Sequence, residues 1–284
     1  KTFNGELRVV EHLWRLAHPR RRTAMFPRGV GRDFSGVITA VGPGAEGYSV
    51  GDPVLGLLRS APGQVDPRGT LATEVIAPSE SITRMPDGLS YEVASTLGVA
   101  AETAAGAFRR LRLGKNDAIV ISAAAGGVGS LASQLALVLG AAVVGIAGAQ
   151  NAEYLRSLGV IPVAYGKDLK DRVVRACPAP VTKLLDCYGK GYVQLGAALG
   201  VPRGSMGTLV PSPSALLRGA RFTGARHAQR GDLGRVARLV ATGRIKVHIA
   251  SRFPMSLSGV REAYTELAVG HTRGKIVITT EEPH

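Results

Sequence analysis

Between Asp117 and Glu153 the chain runs for 35 residues without a charged side chain. The chain as a whole is 20% charged, so roughly seven charges belong in such a stretch, and their absence means burial. Within it, Leu131–Ala149 carries only Ser133 and Gln134 as clearly polar side chains. A membrane-spanning helix needs about 20 such residues, but Gly140 and Gly145 split this stretch and its second half is β-branched. Strand, turn, helix, strand is the better parse. Ala118–Ser122 (AIVIS) reads as a strand buried on both faces, and Ala123–Gly129 (AAAGGVG) as a glycine-rich turn. Val128, Leu131, Ala132, Leu135, Val138 and Leu139 recur at helical spacing, Gly140 stops the helix, and Ala142–Ala147 (AVVGIA) is the second strand. This is a βαβ unit with parallel strands and a right-handed crossover.

The turn carries Ala124-x-Gly126-x-x-Gly129 between strand and helix, the dinucleotide fingerprint with Ala at its first position. Gly126 lets the backbone approach a pyrophosphate, and Gly129 permits close helix–strand packing. The N–H groups of Gly127 and Val128 lie at the positive end of the helix dipole, which suits that phosphate. Cofactor type is written at the end of the second strand, where an acid would grip a ribose 2′-hydroxyl. Here the chain reads Gly148-Ala149-Gln150-Asn151, with no acid before Glu153, which disfavours NAD. No Arg or Lys stands there to meet a 2′-phosphate either; Arg156 is nearest in sequence, and Lys167 could return to the same edge. NADPH is the expected cofactor, with NADH the alternative.

Downstream, Pro162–Tyr165, Lys183–Tyr188 and Gly207–Val210 read as strands, with helices near Leu169–Ala176 and Leu233–Thr242. Upstream, Asp33–Val41, Pro53–Leu57 and Leu71–Ala77 read as short strands between Gly/Pro/Asp turns, and Lys246–Phe253 and Lys275–Thr279 as strands near the end. The division expected is a dinucleotide-binding domain at 101–243 and a β-rich substrate domain built from 1–100 and 244–284. A cleft between them is where a substrate would meet the cofactor.

The 284 residues are 45% apolar, enough for a real core in one large or two ordinary domains. Cys177 and Cys187 stand ten apart with no CxxC spacing, which excludes a disulfide scaffold and a cysteine-built zinc site and suggests a reduced, cytoplasmic protein. The first residue is Lys1, so a lost targeting segment stays open. The net charge of +14 sits in two patches, +5 in residues 1–33 and +9 in residues 203–252, and only eight of the 35 basic residues are Lys. Such a surface reads either as solvated arginine or as a site for phosphate or an acidic partner.

Gly31-Arg-Asp-Phe-Ser-Gly36, Val41-Gly42 and Val50-Gly51-Asp52-Pro53-Val54 are followed by Pro86-Asp-Gly-Leu-Ser90, a helix beginning at Thr103-Ala104, the Ala123–Gly129 turn and Gly274-Lys275-Ile276-Val277. This ordered series resembles the medium-chain dehydrogenase/reductase superfamily, on its zinc-free quinone-oxidoreductase and enoyl-reductase side, over about residues 31–280. The resemblance implies an α/β fold, a Rossmann doubly wound parallel sheet plus a β-rich GroES-like catalytic domain. It implies hydride transfer from NADPH to a carbon–carbon double bond conjugated to a carbonyl, or to a quinone. Zinc-bearing members hold the metal with a His in a GHE-type triplet; here the triplet is Gly31-Arg32-Asp33, an Arg cannot ligate zinc, and no metal is expected.

By the same resemblance, Ala125, Gly126, Gly127 and Val128 would hold the pyrophosphate, and Gly148 and Asn151 the 2′ side. Asn151 stands where relatives often have Lys or Arg, which predicts weaker discrimination between the cofactors. Thr103 would reach the nicotinamide carboxamide, or else cap its helix; Tyr165 would lie beside the adenosine phosphate, or else be an ordinary strand-edge tyrosine. The family's Asn-Pro-x-Asp-type stretch has no counterpart in Leu13–Val30, where His18 and Arg20–Arg22 are the only reactive-looking groups. No proton donor is assigned.

Three functions compete. The leading one is a zinc-free NADPH-dependent reductase of small-molecule enones, enoyl thioesters or quinones. The second is a trans-acting enoyl reductase on a polyketide-type intermediate, with the 203–252 patch facing an acidic carrier protein. The third is a non-catalytic nucleic-acid binder, disfavoured because 203–252 holds no Tyr or Trp and only Phe222 for stacking. No membrane partner is expected; oligomeric state stays open, with a homodimer the alternative to a monomer because relatives commonly pair through the cofactor sheet.

Overall fold

The structure, a computed structural model, describes residues 29–58 and 69–280; the stretch holding His18 and Arg20–Arg22 lies outside them. The first strands, β1 (Asp33–Val37), β2 (Pro53–Leu57) and β3 (Ile82–Arg84), form an antiparallel sheet in that order. The expected strand at Leu71–Ala77 is absent. Leu71 donates its N–H to Val30, but Ala72–Ala77 pair with no ladder, and Ile76 is exposed along an open cleft. The pairing partner of β2 is β3 instead, with Val54 opposite Arg84.

Two helices lead out of this sheet, α1 (Tyr91–Ala94) and α2 (Gly98–Leu111). Ser90 caps α1, its hydroxyl accepting from Val93 N–H at 3.3 Å. The helix expected to begin at Thr103 begins five residues earlier, so Thr103 is a mid-helix residue and not a cap. No local side chain caps α2. The Asp33 carboxylate does so across the fold, accepting from Val99 N–H at 2.7 Å.

The chain then alternates: β4 (Ala118–Ser122), α3 (Gly129–Val138), β5 (Ala142–Ala147), α4 (Ala152–Ser157), β6 (Ile161–Ala164), α5 (Leu169–Ala176), β7 (Lys183–Asp186), α6 (Tyr192–Ala198), β8 (Met206–Thr208), α7 (Pro213–Leu217), β9 (Arg221–Phe222) and α8 (Asp232–Ala241). Its six strands form one parallel sheet in the order β6-β5-β4-β7-β8-β9. All five residues of β4 are buried, as a central strand covered on both faces requires. The chain turns back between β5 and β7 on either side of β4, a topological switch point, and ligands of such sheets bind at the carboxyl ends of the strands there. One core cluster packs α2, α3 and α8 on one face, and a second fills the other around Val120, Ile146, Leu184 and Met206.

The last elements are β10 (Ile249–Pro254), α9 (Leu257–Val269) and β11 (Lys275–Thr279), with β10 and β11 paired in parallel. Gly274 joins this unit to the large sheet: its N–H reaches Ala125 O at 2.9 Å, beside a bridge between Gly126 and Gly274. Gly274 has φ 72°, and a Cβ there would stand 2.0 Å from His248 O, so only glycine fits. Among the described residues no helix is long and apolar enough to cross a membrane.

Candidate active site

The turn after β4 is shaped by its glycines. A Cβ on Gly129 would lie 2.2 Å from Ala123 O, so α3 can pack this close to the strand only without one. Gly126 differs: a Cβ would meet only Ala123 O, at 3.3 Å, with its other side open. Ala123 takes φ 50°, a left-handed conformation that makes the sharp exit from β4, and Ala124 packs beside Gly145 of β5. The N–H groups of Gly127 and Val128 have no backbone acceptor among the described residues. They stand at the amino end of the ten-residue α3, a standing donor set for an anion.

This turn forms one wall of a cleft of about 2730 Å³, several times the roughly 300–1,000 Å³ of a small-molecule pocket. A dinucleotide and a second reactant fit together in such a volume. Thr103, Ala125, Gly126, Gly127, Val128, Gly148, Asn151 and Tyr165, the residues singled out from the sequence, all line it. Thr103 is buried in α2 and packs beside Gly224, whose Cβ would sit 3.3 Å from its methyl. Asn151 is buried at the end of β5, and Tyr165 is half exposed at the end of β6.

Sequence reasoning missed the groups that hold these residues. Neither Arg156 nor Lys167 reaches Asn151; Arg273 does, from just before β11. Its Nε donates to Asn151 Oδ1 at 2.9 Å, its Nη2 to Gln150 O at 3.3 Å, and its guanidinium lies 5.1 Å from the centre of the Tyr154 ring. Lys275 follows. Its side chain runs against Gly127, and its ammonium pairs with Asp33 at 3.4 Å. Burial raises the Asp33 carboxyl above the ordinary carboxylate range, outweighing Lys275 and the Val99 N–H.

The floor at the switch point is a buried polar network. Asp186, at the end of β7, accepts from Ser122 Oγ at 2.8 Å, Gly189 N–H at 2.8 Å, Tyr188 N–H at 3.0 Å and Thr208 Oγ1 at 3.1 Å. Those bonds tie β4, β7 and β8 at their carboxyl ends. Cys187 lines the cleft, but burial first and the Asp186 charge second push its thiol far up, so no thiolate forms near neutrality. Among the described residues no three His, Cys, Asp or Glu side chains gather to hold a metal.

Part of the arginine-rich 203–252 stretch serves the fold. Arg203 donates to Leu217 O, Arg218 to Ser214 O, Arg235 pairs with Asp232, and Arg226 lies over Phe222 at 4.3 Å.

A switch-point glycine turn facing a second, β-rich wall across one large cleft suits an α/β oxidoreductase that binds a dinucleotide. Comparison with known proteins gives the same class. An alcohol dehydrogenase GroES-like domain model matches residues 7–87, and a zinc-binding dehydrogenase model matches residues 160–278. A chloroplast envelope quinone oxidoreductase homolog of Arabidopsis thaliana is 29% identical over 279 residues, covering 89% of this chain and 80% of its own. The 2-methylene-furan-3-one reductase of Solanum lycopersicum is 27% identical over 285 residues, covering 98% of this chain and 70% of its own. The solved quinone oxidoreductase of Coxiella burnetii superposes with a TM-score of 0.77 at 25% identity, over 90% of this chain and 80% of that one. Over both halves of its length the chain is thus similar to proteins of the medium-chain dehydrogenase/reductase superfamily, quinone oxidoreductases among them.

The residues present fit a dinucleotide: the open side of Gly126 and the N–H groups of Gly127 and Val128, without a backbone acceptor among the described residues, make a cradle that a Cβ would crowd.

Proposed function

We propose that this oxidoreductase uses NADPH and, without zinc, reduces a carbon–carbon double bond conjugated to a carbonyl, or a quinone. Arg273 is the observation that carries the cofactor preference. No acid stands at the end of β5, and a guanidinium held on Asn151 and the Gln150 carbonyl puts positive charge beside that edge of the cleft. A 2′-phosphate gains from such a charge, and a 2′-hydroxyl gains little.

In this reading Ala125–Val128 hold the pyrophosphate, Gly148, Asn151 and Tyr165 the adenosine side, and Thr103 the nicotinamide end. The chain divides into a dinucleotide-binding part at 101–243 and a substrate part from 1–100 and 244–284. The bound nicotinamide supplies a hydride. The protein's share is to hold the acceptor against it, exclude water and receive the charge that develops. Arg32 in the Gly31-Arg32-Asp33 triplet supports the zinc-free reading, because a guanidinium repels a cation. The acceptor class draws on the relatives' names, a quinone in one and a methylene-furanone, an enone, in the other.

Fluorescence titration with NADPH and NADH tests the cofactor. Arg273→Gln should weaken NADPH about tenfold or more, the worth of a hydrogen bond to a charged group, and leave NADH nearly unchanged. Equal loss for both cofactors would overturn the NADPH preference. A scan of enones, quinones and enoyl thioesters for NADPH oxidation then fixes the acceptor.

A further inference from the structure

We propose that Arg32 is the residue that binds the acceptor's oxygen, a role that rests on the hydride-transfer reading above. Arg32 lies immediately before β1 and lines the cleft. Its Nε is buried and has no hydrogen-bond acceptor among the described residues. The neighbouring carboxylate is already engaged: Asp33 Oδ1 accepts from Val99 N–H at 2.7 Å, and Oδ2 faces the Lys275 ammonium at 3.4 Å. Arginine stays charged at every accessible pH, and buried donors in folded proteins nearly always find an acceptor. A guanidinium that lines the cleft and keeps a donor without a protein acceptor is the group there best suited to a ligand oxygen.

The position suits the reaction. Asp33 is fixed on Val99, and Thr103 follows four residues later on the same face of α2, one turn or about 6 Å along the axis. Arg32, next to Asp33 in the chain, lines the same cleft as Thr103. When hydride adds to the β-carbon of a C=C–C=O acceptor, the π pair of the C=C shifts to give C=C–O⁻. A proton from solvent then reaches the α-carbon. Both electrons come from the reduced nicotinamide. The negative charge falls on the carbonyl oxygen, and the planar N–H fork of Arg32 receives it there while keeping its own proton.

A phenolate is a stable mimic of that enolate. 4-Nitrophenol, whose ionised form absorbs in the visible, is titrated into the full chain saturated with NADP⁺, for wild type, Arg32→Met and Arg32→Lys. Wild type should bind it as phenolate and lower its apparent pKa. Arg32→Met should abolish that shift, and Arg32→Lys should keep part of it. In parallel, Arg32→Met should lower kcat on an uncharged enone about 100-fold, the loss expected for one oxyanion donor, with NADPH affinity unchanged. Thermal melting accompanies each variant, and if Arg32→Met does not fold, Arg32→Gln takes its place. An unchanged phenolate shift in the folded uncharged variant, no phenol binding by wild type, or an unchanged kcat on the enone would each overturn the assignment. A loss confined to acceptors that carry a carboxylate or phosphate would overturn it too, since Arg32 would then bind a fixed anion. If wild type reduces no acceptor but still ionises the phenol through Arg32, the hydride-transfer reading fails and the anion site stands.

Discussion

The two glycines of the fingerprint do different work, and substitution separates them. On Gly129 an added methyl would stand 2.2 Å from Ala123 O and 3.0 Å from Ala124 Cα, backbone atoms that cannot swing aside. Gly129→Ala must push α3 away from β4, a strain of about 1–3 kcal/mol, and its melting temperature should fall by several degrees. On Gly126 the same methyl meets one carbonyl oxygen at 3.3 Å and otherwise faces the cleft. Its backbone is not left-handed, so alanine there also trims unfolded-state entropy. Gly126→Ala should melt within about 2 °C of wild type yet lose NADPH binding in a fluorescence titration. Equal melting losses for the two variants would refute this division of labour. Arg273 was out of reach of the same residue-level reading: Arg156 and Lys167 are the cations nearest in sequence, and the one that reaches Asn151 comes from 122 residues away.

Among the elements, those built from local pattern were legible in the sequence and those held by distant partners were not. β2, α5 and β11 fall within the bounds read from the sequence. α2 was misplaced by five residues because its cap, Asp33, lies 66 residues upstream of Val99. The two-residue β9 is too short to carry a period, and α9, with only Gly259 and Ala263 buried, shows little apolar stripe. The clamp between α2 and the start of α8 was equally invisible. Arg109 donates both Nη groups to Asp232 at 2.9 Å and also binds His227 O at 2.7 Å. Burial alone would raise the Asp232 carboxyl, but the Arg109 hydrogen bonds and the Gln229 N–H bring it below its ordinary value. The clamp's stability is therefore present above the ordinary carboxylate range and is lost as pH falls through the lowered value. Arg109→Met leaves a buried carboxylate without its main partner and should cost about 2 kcal/mol at pH 7, less than for a fully buried pair because Arg109 is partly exposed. Below about pH 4, where Asp232 in the variant becomes protonated, the deficit should shrink. Urea unfolding at both pH values checks it, and an equal deficit at each would count against the clamp.

Across the whole molecule, one acid whose side chain is 15% exposed, Asp33, sits where the parts of the chain meet. Asp33 begins β1, caps α2 through Val99 and pairs with Lys275 at the start of β11, 242 residues away. Lys275 in turn lies against Gly127 of the cofactor turn, so one ion pair ties the β1–β3 sheet, the last strand and the glycine turn together. No local rule reads such a junction from sequence, although the Gly31-Arg32-Asp33 and Gly274-Lys275 segments that form it were both picked out as motifs. Because burial raises Asp33 in the folded state, the folded chain holds this proton more tightly than the unfolded one. Its contribution favours folding at low pH and declines as pH rises from the ordinary carboxylate range, near 4, through the raised folded value. Lys275 opposes that decline by favouring the carboxylate. Lys275→Met should therefore raise Asp33 further and steepen the loss of stability above about pH 4, while Lys275→Met combined with Asp33→Asn should be nearly flat over the same range. Unfolding free energies measured from pH 4 to pH 8 for both variants decide it: parallel profiles would mean that Lys275 holds the junction by packing against Gly127 and not by its charge on Asp33.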